Sequence, residues 1–99
     1  MINVVCLDPQ YFAAILDGRK QTEWRDRMRP DPILERVQAG ERIVLQERRT
    51  DRAIFATVRH VRRFRRQGGY RYGIRLLAPR LGSTSGVRHL QGWQRRENL

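Results

Sequence analysis

The octapeptide at residues 18–25, GRKQTEWR, gathers the side chains best suited to chemistry in the first half of the chain. Lys20 follows a glycine turn, so its flexible stem can reach into a cleft. Glu23, three positions on, is near enough to pair with Lys20 or with Arg25. Such a cluster can hold an anionic group or polarise a carbonyl. The same spacing also suits an ion-pair network that locks a helix to a strand. Lys20 is the only lysine among 21 basic residues. An amine is compact and its pKa can fall on burial, whereas a guanidinium stays protonated, so a lysine kept at this position favours a functional role for it.

A second constellation places Arg59, Arg62, Arg63, Arg65 and Arg66 around Phe64, followed by Gly68, Gly69, Tyr70, Arg71 and Tyr72. Arginines fork onto phosphate oxygens, aromatic faces stack with bases, and glycines let a backbone approach a strand of nucleic acid. The competing reading is a solvated, charged hairpin. Tyr70 and Tyr72 fit that reading better, because they share a strand face with Ile74 and Leu76. His60 and His89 are the only histidines. If both met Lys20 in one cleft, they could cleave RNA without a metal, one as base on the 2′-hydroxyl and one as acid on the leaving oxygen. The second half has no carboxylate cluster, and nothing near Ser83, Thr84 or Ser85 resembles a nucleophile elbow. Neither a metal nor a cofactor is expected.

The charge is distributed unevenly. The 99 residues carry 21 basic and 10 acidic side chains, a net charge of +11. Residues 1–51 hold nine of each sign, while residues 52–99 hold twelve basic side chains and one acid, Glu97. A basic half repels itself on folding, and a polyanion relieves that repulsion. RNA is the expected partner. Double-stranded DNA is less favoured, because the basic half offers no helix for a major groove. No apolar run approaches the length of a membrane span, Asp8 and Pro9 interrupt any secretory signal, and Cys6 alone builds neither a disulfide nor a zinc site. The expectation is a cytoplasmic protein without membrane contact, its cysteine buried in the first strand.

The length allows one domain over residues 1–99, with 94–99 as a frayed tail. Residues 2–7 (INVVCL) read as a central strand, apolar on both faces. Asp8 offers a side-chain N-cap, Pro9 suits the first helical turn, Phe12, Ile15 and Leu16 recur at helical spacing, and Gly18 ends the helix. Residues 19–27 alternate as a second strand. Pro30 and Pro32 break regularity, and 33–39 has room for one short helix before Gly40. Strands follow at 42–47, 53–62 and from Tyr70 to Leu76, then a loop at 81–87 with Val87, Leu90 and Trp93 as anchors for a last strand or turn.

With its order of elements, the Gly-x-Lys-x-x-Glu-x-Arg signature resembles the ASCH domain family of the PUA-like group. Further agreement comes from Ala39-Gly40-Glu41 before an apolar strand, the valines at 58 and 61, and a late Tyr-x-x-x-Leu pattern. The resemblance covers residues 2–77. It implies a mostly β (α+β) fold: a small PUA-like β-barrel of five to six strands, with an N-terminal helix, a short helix and a helix-lined cleft. It also implies RNA binding and, in some members, hydrolysis of RNA or modified nucleosides. In the cytidine-deacetylase branch the motif lysine is followed three positions later by threonine, and a later glutamate completes the site. Here Glu23 takes the threonine position, and no acid occurs between Arg52 and Arg96, which argues against that activity.

The sequence reading is therefore an RNA-binding domain. Arg59, Arg62, Arg63, Arg65, Arg66 and Arg71 hold phosphates, Lys20, Glu23 and Arg25 hold a nucleotide in a cleft, and Arg19 is a further nucleic-acid-binding residue. The alternatives are a hydrolase with Lys20 and Glu23 as catalytic residues, acting as a metal-independent ribonuclease or as an amidohydrolase on a modified cytidine, and a basic protein-interaction module.

Overall fold

A computed structural model describes residues 3–85 as a mostly β fold: one five-stranded sheet curled into a half-barrel, with one helix. The elements are β1 (Asn3–Leu7), α1 (Pro9–Leu16), β2 (Thr22–Arg27), β3 (Arg42–Glu47), β4 (Arg52–Arg66) and β5 (Gly69–Ser83). The strand order is β1-β3-β4-β5-β2, with β1 parallel to β3 and every other pair antiparallel. β1 and β2, neighbours in sequence apart from the helix, are thus the two edges of the sheet. Val87, His89, Leu90, Trp93 and the 94–99 tail lie outside the described residues. Among the described residues, no helix is long and apolar enough to cross a membrane.

β1 is an edge strand, not the central one expected, yet it is buried on both faces, as its composition requires. Val5 and Leu7 enter the main core, while Val4 packs with Val44, Ala53 and Phe55 on the opposite face. Eight residues are too few for a helix to persist alone in water, so α1 depends on burying Phe12 and Ile15 against the sheet, each side chain contributing about 1.5–3 kcal/mol. Gly18, at φ +85°, terminates it in the left-handed region.

The expected Asp8 side-chain cap is not made. Asp8 Oδ1 instead accepts a 2.9 Å hydrogen bond from Arg48 Nε, a charged donor that outcompetes a backbone amide. The short helix expected at 33–39 is also absent, replaced by a capped turn. Asp31 Oδ1 accepts from the amides of Ile33 and Leu34, and two helical-type bonds follow, Glu35 to Asp31 and Val37 to Ile33. The turn ends there, having placed Ile33, Leu34 and Val37 in the core.

β4 and β5 run further than expected in both directions, forming a 15-residue pair across a turn at Gln67 and Gly68. Residues 81–83, expected in a loop, pair as strand with residues 52–54. Pro79 does not end β5 because it lies in a bulge beside Ala78, at φ +53°, where its missing N–H leaves no ladder bond unmade. A second bulge inserts Arg59 into β4 between Val58 and His60.

Candidate functional site

The half-barrel leaves a seam between its edge strands, and a pocket of about 280 Å³ lies there. Cys6 and Leu7 of β1, Asp8 and Tyr11 at α1, Lys20 before β2, Glu23, Trp24 and Arg25 of β2, and Arg48 after β3 line it. Strand alternation turns Glu23 and Arg25 to the concave side, opposite Ile74 and Tyr72 of β5. Glu23 is 3% exposed and sits between two cations: Oε1 lies 3.0 Å from Lys20 Nζ, and Oε2 accepts from Arg25 Nε at 2.9 Å. Both pairings open to the sequence are thus made at once. The Lys20 contact lies off the hydrogen-bonding direction, so Oε1 is a buried acceptor without a hydrogen-bond donor among the described residues.

Arg25 spans the seam, its terminal nitrogen donating to the Cys6 carbonyl of β1. Cys6 itself is half-buried at the pocket wall, not fully buried in the strand as expected. Lys20 is fixed twice more. Its amide donates to the Ala14 carbonyl at 3.0 Å, and its ammonium lies 4.6 Å from the centre of the Tyr11 ring. Three cations (Lys20, Arg25, Arg48) face two carboxylates (Asp8, Glu23), leaving the lining one positive charge in excess. Chemically this can hold an anionic group or polarise a carbonyl. Arg19 does not line the pocket; its backbone N–H and guanidinium both bind Asp17 and hold that carboxyl below its ordinary pKa.

The arginine constellation divides by strand alternation. Arg63 and Arg65 share the concave face with Tyr72 and Tyr70. Arg63 donates from Nε to the Leu34 carbonyl at 2.9 Å and from a terminal nitrogen to the Val37 carbonyl, tying the 31–37 turn to β4. Arg65 lies 5.6 Å from the Tyr70 ring centre. Tyr72 is core, as expected. Its hydroxyl donates to Glu35 Oε2 at 2.6 Å and accepts from the Asp31 amide, and burial, with the Glu35 bond second, raises its pKa. His60, Arg62, Phe64 and Arg66 share the outer face with Arg71 of β5. Arg59 sits exposed in its bulge.

None of the β4 arginines lines the seam pocket, and neither does His60, so the imagined grouping of Lys20 with His60 does not form; His89 is outside the described residues. Trp24 joins the two regions. It lines the pocket and also contacts Phe64 and Arg71 on the outer face. Sequence reasoning missed Tyr11, Arg48 and the Cys6 carbonyl, which only the curl of the sheet brings together. It passed over Trp24, although period-2 alternation separates Trp24 from Glu23 and Arg25. Among the described residues, no group of His, Cys, Asp or Glu could hold a metal ion. No protein-family model matches the chain, and no curated protein matches it.

Proposed function

We propose that this chain is an RNA-binding domain of the ASCH type, taking a nucleotide at the seam pocket and the flanking phosphates on its arginines. One observation carries the reading: a buried Glu23 clamped between Lys20 and Arg25 at the wall of a pocket with excess positive charge. The carboxylate fixes both cations in place, and an incoming anionic or carbonyl oxygen meets donors already oriented. Trp24, shared by the pocket and the arginine-bearing face, gives a bound strand a continuous path between them.

The test is equilibrium binding of fluorescently labelled single-stranded RNA to the natural chain and to Lys20→Met. The variant should bind several-fold more weakly with its fold intact. Equal affinity would remove the nucleotide from the pocket, and no binding by the natural chain would end the proposal.

A second reading uses the same pocket for hydrolysis. Lys20 Nζ held 3.0 Å from a carboxylate oxygen is a proton donor beside a proton acceptor. Turnover of RNA or of an N-acylated nucleoside, abolished in Lys20→Met, would establish it. Turnover that survives the substitution would exclude Lys20 from the chemistry.

A further inference from the structure

The outer face of the β2, β5 and β4 strands carries two aromatic rings that the core does not use. Trp24 and Phe64 are 38% and 39% exposed, with ring centres 6.3 Å apart and planes inclined by 31°. Trp24 is pressed against the sheet over its cross-strand partner Gly73, where a Cβ would come within 2.5 Å of the ring. Only glycine there lets the indole lie flat. Each ring also carries a cation: the Arg71 guanidinium is 4.8 Å from the centre of Trp24, and that of Arg66 is 6.0 Å from Phe64.

Arg71 is poorly matched. Its Nε is buried without a hydrogen bond, and the nearest carboxylate oxygen, Asp26 Oδ1, is 3.8 Å away. Around the rings the strand registers place Arg62, Arg66, Arg71 and Arg75, with Asp26 as the acid on the same face. Charge complementarity therefore selects a polyanion, and paired exposed aromatics select one with flat, apolar faces of its own.

We propose that this face is a stacking platform for single-stranded RNA. Trp24 and Phe64 receive bases, and Arg62, Arg66 and Arg71 receive the neighbouring phosphates. In the free protein Arg66 and Arg71 rest on the rings. A bound strand gives each guanidinium a fully charged acceptor and leaves the ring for a base. The inference rests on the RNA-binding reading and adds to it a place for the bases outside the pocket and a preference for unpaired strands, since duplex bases cannot reach an aromatic face.

The experiment uses the full chain carrying Trp93→Phe, so that Trp24 is the sole tryptophan. A short labelled oligouridylate is titrated at constant salt while its anisotropy and the indole emission are both followed. Emission should be quenched with the same midpoint as the anisotropy. Phe64→Leu in the same background, and separately Trp24→Leu in the natural chain, should each weaken binding about tenfold, with circular dichroism unchanged. Leucine keeps the apolar cover and removes the π face. If Trp24→Leu does not fold, Phe64→Leu decides the matter, since Phe64 lies on the outer face and does not line the pocket. RNA that binds equally well to Phe64→Leu refutes the platform and leaves the pocket reading standing, whether or not the emission is quenched, because Trp24 also lines the pocket. Equal affinity for a duplex of the same length also refutes the platform. No RNA binding at all refutes both.

Discussion

Replacing Glu23 with glutamine preserves the shape of the side chain and removes the one negative charge that Lys20 and Arg25 share. Deleting one partner of a buried ion pair costs about 3–5 kcal/mol, because the remaining charge is left in a poorly solvated site. Here the orphaned side chains are not sealed off: Lys20 is 24% and Arg25 14% exposed, so water recovers part of that loss. The expected destabilisation is about 2–4 kcal/mol, and for a domain of this size about 4–8 °C of melting temperature accompanies each kcal/mol. Urea unfolding followed by circular dichroism measures it. Lys20→Met added to Glu23→Gln should recover about 1 kcal/mol or more, since it removes one of the two cations then left together, and a double-mutant cycle isolates that coupling. A Glu23→Gln protein within about 0.5 kcal/mol of the natural chain, the ordinary range for surface substitutions, would refute the seam clamp.

Arg63→Ala should lower stability by about 1–2 kcal/mol through loss of the Leu34 and Val37 carbonyl contacts and leave the salt dependence of RNA binding unchanged, while Arg66→Ala should do the reverse. Salt titrations beside urea curves for both would contradict the division of the arginines if the two variants behaved alike. Gly73→Ala places a Cβ within 2.5–2.9 Å of three Trp24 ring atoms and should cost about 1–3 kcal/mol with altered indole emission; an unperturbed variant would contradict the close approach. Tyr72→Phe removes a hydroxyl bonded to Glu35 and Asp31 and should cost about 1–2 kcal/mol near neutral pH. Because the native Tyr72 pKa is raised above 10.0, its contribution is whole below that value and is lost as pH rises towards the native one. The natural chain should therefore lose stability faster than Tyr72→Phe above pH 10, and parallel alkaline curves would count against the buried, Glu35-bonded phenol.

Much of the framework was legible because it rests on local rules. The spacing of Phe12, Ile15 and Leu16, followed by Gly18, marks α1, and the β-branched residues mark β1 and β3. The octapeptide limits Glu23 to partners at Lys20 and Arg25, and both are used. The seam was not legible, because its decisive acceptor is the Cys6 main-chain carbonyl, which has no residue-type signature, and because Tyr11 and Arg48 arrive only through the curl of the sheet. The length of β5 was not legible for a similar reason, since the tolerance of Pro79 within the strand depends on a bulge that pairing alone creates. The arginine run was legible as charge but not as two faces. The bulge at Arg59 sets the phase from which His60, Arg62, Phe64 and Arg66 take one side and Arg63 and Arg65 the other. Arg63 then meets carbonyls of a turn 26 and 29 positions away in sequence, a contact no local pattern announces.

The central claim, that this chain grips RNA through arginines on one face of its curled sheet, is tested most directly by the salt dependence of single-stranded RNA binding for the natural chain and for Arg62→Ala with Arg66→Ala. Each phosphate contact to a single strand contributes about 0.7 to the slope of log affinity against log salt. The double variant should therefore bind more weakly, with a slope shallower by about 1.4. An unchanged slope, or binding by the natural chain that ignores salt, would contradict the account.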